Sequence, residues 1–91
     1  MKILMPWEET HGDTFARYNY GKYRKSYGLV YFHWSSRTWT YQVRRNDGSL
    51  MFFIPQPDQK TKGDAIKIAD EVLIDMGFKL LNDGDKLLAL L

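Results

Sequence analysis

The stretch that decides the fold reads Leu29-Val30-Tyr31-Phe32-His33-Trp34-Ser35-Ser36-Arg37-Thr38-Trp39-Thr40-Tyr41-Gln42-Val43-Arg44-Arg45-Asn46-Asp47-Gly48. Aromatic and β-branched residues dominate it, and these favour extended backbone. Leu29 to Trp34 and Arg37 to Arg45 read as two strands, and the Ser35-Ser36 spacing between them suits a tight hairpin. Asn46-Asp47-Gly48 is the next turn, because these residues tolerate the positive φ that hairpin turns demand. Ser49 to Ile54 reads as a third strand, and Pro55-Gln56-Pro57 ends the sheet by removing backbone donors and fixing φ.

Beyond the prolines the hydrophobic period changes to that of a helix. Thr61 with Asp64 three residues later resembles a capping box, and Gly77 suits a left-handed helix stop, so the spacing predicts a helix from Thr61 to Met76. On a helical wheel Ala65, Ile66, Ala69, Val72, Leu73 and Met76 share one side, with Ile68 at its margin. Lys67, Asp70, Glu71 and Asp75 fall on the other side and read as solvated. Strand alternation places Trp39, Tyr41 and Val43 toward this helix and Thr38, Thr40, Gln42 and Arg44 away from it. The fold class is therefore α+β: an antiparallel sheet of three or more strands packed on one helix in the C-terminal half.

With 91 residues and 44% apolar content, the chain suits a single small domain. Its core is expected over 27–77, with a basic and aromatic arm over 1–26 and an apolar segment over 78–91. Phe78 to Leu91 contains a second Asn-Asp-Gly turn and reads as a hairpin or a short helix. Leu87-Leu88-Ala89-Leu90-Leu91 should be buried, either against Ile3-Leu4-Met5 or in a homodimer seam. No cysteine is present, so neither a disulfide framework nor a thiolate metal site is expected. The apolar run at Met1 to Pro6 is shorter than a signal-peptide core, and no run approaches the ~20 residues of a membrane helix. A soluble cytoplasmic protein is the expectation.

Charge is distributed unevenly. Between Thr14 and Asn46 lie seven basic residues (Arg17, Lys22, Arg24, Lys25, Arg37, Arg44, Arg45), ten of the fourteen aromatics and no acid, so a net +2 conceals a segment at +7 and a remainder at −5. Cations interleaved with flat rings suit phosphate neutralisation together with base contact. Arg, Gln and Thr alternating along a strand add the means to read base edges: Arg to guanine, Gln to adenine, Thr to phosphate or a thymine methyl.

The run Val30 to Arg44, followed by a turn, a third strand and the pattern Thr61, Ala65, Ile66, Ile68, Ala69, Asp70, resembles the three-strand-plus-helix DNA-binding domain of plant ethylene-response factors. It is also similar to relatives appended to phage HNH homing endonucleases and to the N-terminal module of tyrosine integrases. The likeness spans Tyr27 to Gly77 and rests on Val30, Trp39, Val43 and Arg44. It departs at Leu29, where the family has Gly, and in the longer stretch between sheet and helix. What the resemblance implies is double-stranded DNA bound by the exposed sheet face: Arg44, Gln42 and Thr40 from the second strand, Tyr31 and His33 from the first, and Arg37 in the turn. Lys22, Arg24 and Lys25 would contact phosphates from the preceding arm, with Arg17 in the same set. Trp39 and Val43 would be core. A regulator of a phage or mobile element fits this likeness.

Two other readings remain open at this level. One is a protein-interaction module, a phage-type inhibitor or accessory factor, since Tyr, Trp and Arg are also enriched at interface hot spots. The other is a single-strand binder that stacks bases on Tyr and Trp. An enzyme is not expected. Glu8-Glu9-Thr10-His11-Gly12-Asp13 is the one compact acid–base and metal-capable stretch, and it reads as a solvated loop or cap. His33 has no carboxylate near it in sequence, no glycine-rich phosphate loop occurs, and no cofactor is implied.

Overall fold

Thr38 to Tyr41 are half-buried, Gln42 is exposed and Val43 is buried, and this strand together with Ser26–His33 forms the expected hairpin. A computed structural model of the chain describes residues 2–51 and 58–82. Its elements are β1 (Ile3–Leu4), β2 (Glu8–His11), β3 (Thr14–Tyr18), β4 (Ser26–His33), β5 (Thr38–Val43), α1 (Lys62–Asp75) and β6 (Lys79–Leu80). β4 and β5 pair antiparallel with His33 opposite Thr38 and Gly28 opposite Val43. The connecting loop is Trp34 to Arg37 rather than the Ser pair alone. It closes with Arg37 N–H donating to the His33 carbonyl at 2.7 Å.

The sheet has four strands in the order β2-β3-β4-β5, so it grows toward the N-terminus from the hairpin. Of the third strand expected from Ser49 to Ile54, the described part is Ser49 to Met51. Leu50 forms only an isolated bridge with Arg44, and Met51 N–H donates to the Val43 carbonyl at 3.1 Å. Residues 52–54 of that expected strand lie outside the described residues. The turn itself forms: Asp47 Oδ1 accepts from the Ser49 N–H at 2.8 Å and from its hydroxyl at 2.6 Å. These bonds, foremost that of the Ser49 hydroxyl, hold the Asp47 carboxyl below the usual carboxylate range.

Residues read as an N-terminal arm instead supply β1, β2 and β3. The stretch Glu8 to His11 is an edge strand rather than a loop, with Glu8 opposite Ala16 and Glu9 opposite Phe15. β1 lies parallel to β6, Leu4 forms a bridge with Asn19, and Met5 N–H donates to the Tyr18 carbonyl at 2.7 Å. Among the described residues, Lys79 to Leu81 pack beside Ile3 and Leu4. Leu87 to Leu91 lie outside the described residues.

The helix forms where expected. Thr61 is its N-cap, its hydroxyl accepting from the Asp64 N–H at 3.1 Å, and Asp64 in the first turn suits the helix dipole. At the other end Gly77 takes φ 92°, and Phe78 N–H donates back to the Leu73 carbonyl at 3.1 Å. Ala65, Ala69 and Leu73 are buried against Val30 and Val43, flanked by Trp39, Tyr41, Ile66, Val72 and Met76. Burial also raises the Tyr41 phenol above its usual pKa. The register of β3 on β4 shifts between Arg17 and Tyr18, leaving Tyr27 as an extra residue. Such a bulge re-aims a side chain. Tyr27 turns into the core and packs on Phe78 with ring centroids 5.5 Å apart. Gly28 is required where it stands, because a Cβ there would meet the Trp7 ring at 2.9 Å.

One part of the core is ionic. Arg17 is 0% exposed, on the helix side of β3. Its Nε donates to Asp70 Oδ1 at 3.0 Å, its Nη1 to the carbonyls of Met5 and Leu81, and its Nη2 to Asn82 Oδ1 at 3.1 Å. Trp7 Nε1 donates to the same Asp70 oxygen at 2.9 Å. Asp70, read from the wheel as solvated, sits four residues after Ile66 and three before Leu73, at the margin of the packed face, and is drawn in by Arg17. Breaking such a pair leaves a buried charge, so Arg17→Met should lower the unfolding free energy by about 3 kcal/mol. Arg17→Met combined with Asp70→Leu should recover most of that loss. Urea denaturation of both variants checks this, and a single variant as stable as wild type would contradict it.

Candidate nucleic-acid interface

Packing α1 against one side of the sheet leaves the other side open. By strand alternation that open face carries Thr14 and Ala16 from β3, Leu29, Tyr31 and His33 from β4, and Thr38, Thr40 and Gln42 from β5. The register sets these in rows: Thr14, Tyr31 and Thr40 in one, Ala16, Leu29 and Gln42 in the next, and His33 beside Thr38. Tyr31 and His33 lie with ring centroids 5.8 Å apart. Tyr31, His33, Thr40 and Gln42, expected on this face from the sequence, are therefore brought together on it.

The cations gather mainly at one end. β3 ends, β4 begins and β5 ends on the same side of the sheet, and the loop over residues 19–25 meets the turn over residues 44–50 there. Lys22, Arg24, Lys25 and Arg45 are exposed at this end and Arg44 is half-buried. Lys25 reaches across to the turn, its Nζ lying 2.5 Å from where a Cβ on Gly48 would stand. Arg44 Nη1 donates to the Gly48 carbonyl at 2.9 Å, so this side chain also braces the turn. Arg24 lies over the Tyr18 ring, 3.9 Å from its centroid, and pairs with Glu8. Arg37 stands at the opposite end, in the β4–β5 loop.

Arg17 is the exception among the expected contact residues. Every donor it uses is directed inward, and none of it reaches the surface, so it has no place on an exposed binding face. A charged residue in a strand reads as exposed by default, and only the match with an acid more than fifty positions away removes Arg17 from that default.

Three features escaped sequence reasoning. Gln59 pairs with Trp39 through backbone bonds of 2.7 and 2.8 Å, which places Asp58 beside the hairpin loop. Asp58 Oδ2 accepts from the Thr38 hydroxyl at 2.8 Å and lies 3.9 Å from His33 Nδ1. His33 therefore does have a carboxylate neighbour, supplied from beyond the proline segment. Trp34 is 73% exposed at the loop, braced edge-on by Phe32 with centroids 4.9 Å apart. Tyr23 and Tyr20 are also exposed, on the loop that carries Lys22 and Arg24.

Among the described residues no three His, Asp or Glu side chains gather as a metal ion would require. Among them, too, no helix is long and apolar enough to cross a membrane. Comparison of the chain with protein-family models, with curated proteins and with solved structures gives no match.

Arg37 holds a left-handed conformation at φ 56°, a geometry that costs a side-chain-bearing residue on the order of 1 kcal/mol. Arg37→Gly should therefore leave the protein as stable as wild type or more stable by up to about 1 kcal/mol, while removing the cation at that end. Thermal or urea unfolding checks this; a clear loss of stability would show that the Arg37 side chain supports the loop.

Proposed function

We propose that this protein binds nucleic acid, double-stranded DNA above all, through the open face of its four-stranded sheet. The observation that carries the reading is the arrangement of that face. A neutral strip of Thr14, Tyr31, Thr40, Leu29 and Gln42 runs between a cluster of five cations at one end and Arg37 at the other. From Ser26 to His33 the strand extends ~23 Å at ~3.3 Å per residue, longer than the ~12 Å width of the major groove. Cations at the two ends can then contact phosphates while the strip between them meets base edges.

The roles divide by chemistry. Gln42 is exposed and carries both a donor and an acceptor, the pair that matches adenine. Thr38 and Thr40 offer a hydroxyl and a methyl, and Tyr31 and His33 offer flat rings beside them. Lys22, Arg24, Lys25 and Arg45 serve phosphates, and Arg44 both braces its turn and presents charge. The helix carries Asp64, Glu71 and Asp75 on the far side, while Glu8, Asp47 and Asp58 lie near the sheet's ends, where Glu8 pairs with Arg24 and Asp58 lies beside His33. Regulation of a phage or mobile element is the setting the sequence resemblance suggests.

Filter binding to duplex DNA at two salt concentrations tests the division. Gln42→Ala should lower affinity and relax base preference, and Arg44→Ala should lower affinity. Lys22→Ala or Lys25→Ala should weaken binding to every sequence alike and reduce the salt slope by about one unit each. Wild-type binding by Gln42→Ala and Arg44→Ala on every nucleic acid tried would overturn the sheet-reading mechanism and favour a protein partner for the aromatic, basic face.

A further inference from the structure

Beside the β2–β3 edge an open cleft of about 450 Å³ lies between the Met5 to Glu8 segment and the loop that follows Tyr18. Trp7, Tyr18 and Tyr20 give it aromatic walls, and Glu8, Asn19 and Arg24 give it polar groups. The Arg24 guanidinium sits 3.9 Å from the Tyr18 ring centroid and donates through Nη2 to Glu8 Oε1. Cation, ring and carboxylate thus form one supported unit. The Arg24 side chain is 59% exposed, so the unit still faces solvent.

We infer that this cleft holds an unpaired nucleotide and prefers guanine. The inference rests on the nucleic-acid reading above and deepens it by adding a single-strand site at the edge of the duplex-reading face. Nucleobases stack on arginine planes, and the Arg24 guanidinium, backed by the Tyr18 ring, turns its outer face to solvent. A carboxylate only accepts hydrogen bonds, and it has acceptor capacity beyond the one bond from Arg24. Guanine is the base whose pairing edge offers two adjacent N–H donors, which a carboxylate oxygen pair matches. Lys22 and Lys25 lie near Arg24 in the chain and add positive charge to the same loop, within reach of an attached phosphate's field. A cationic ligand is disfavoured, because Arg24 already occupies the aromatic and acidic surface that would attract it.

The test uses the full chain and fluorescence anisotropy with labelled single-stranded thymine hexamers carrying one central guanine or one central adenine. The guanine hexamer should bind at least about fivefold tighter than the adenine one. Glu8→Gln should abolish that preference, Tyr18→Leu should weaken both hexamers by a similar factor, and Tyr18→Phe should retain binding because it keeps the ring. Duplex affinity should fall by no more than about twofold in any of the three variants, which also reports that they fold. Equal binding of the two hexamers, or hexamer binding unaffected by Tyr18→Leu and Glu8→Gln, would overturn the cleft assignment. Duplex binding without hexamer binding would refute the cleft alone; loss of both in the wild type would refute the nucleic-acid reading itself.

Discussion

The buried pair of Arg17 and Asp70 is the constraint on which the rest of the structure depends. A guanidinium removed from water must have its donors met, and here they are met by elements distant in sequence: the helix through Asp70, the N-terminal segment through the Met5 carbonyl, and the chain after β6 through Leu81 and Asn82. Among the described residues no buried side-chain nitrogen or oxygen lacks a partner. Directional bonds of this kind fix which side of β3 faces the helix in a way that apolar contact alone would not. The pair also fixes how the β1–β6 ribbon abuts the main sheet, since Met5 and Leu81 leave its two strands. With that side closed, the opposite face of the sheet is the one left to meet a partner.

Charge follows the same division. Neutralising Arg17 inside the core removes one cation from the basic segment and one acid from the helix surface, and the remaining cations gather at one end of the sheet, where Glu8 pairs with Arg24 and Asp47 shares the turn. Lys22, Arg24, Lys25, Arg44 and Arg45 converge where two loops meet, whereas Asp64, Glu71 and Asp75 ride on α1. On the proposed reading a polyanion at the open face would meet cations at its ends, with repulsion from the helix acids weakened by distance and screening.

Much of the fold was legible in the residues. The switch from extended to helical period, the Thr61 cap and Gly77 stop, and the alternation through Trp39, Tyr41 and Val43 each follow from local chemistry, and each forms as expected. What the sequence concealed depends on long-range pairing. Glu8 to His11 is polar throughout and becomes a strand only because β3 offers it an edge. The bulge at Tyr27 moves the start of β4 ahead of Leu29, and it has no residue signature beyond Gly28. Of the open face, Thr38, Thr40 and Gln42 were legible by period, and Tyr31 and His33 were expected there from the family resemblance. Arg17 and Asp70 were misread because each resembles an exposed residue until the other is placed beside it. Asp58 was missed because its approach to His33 is set by the Gln59–Trp39 bridge rather than by sequence distance.

Backbone amide chemical shifts, followed by NMR as duplex DNA is added to the full chain, test the central claim most directly. The account predicts shifts concentrated at Leu29, Tyr31, His33, Thr38, Thr40 and Gln42 and in the loops carrying Lys22 to Lys25 and Arg44 to Arg45, with the outer residues of α1 such as Lys67, Glu71 and Asp75 unmoved. Shifts centred on α1 with the open face silent, or no shifts at low salt, would contradict it.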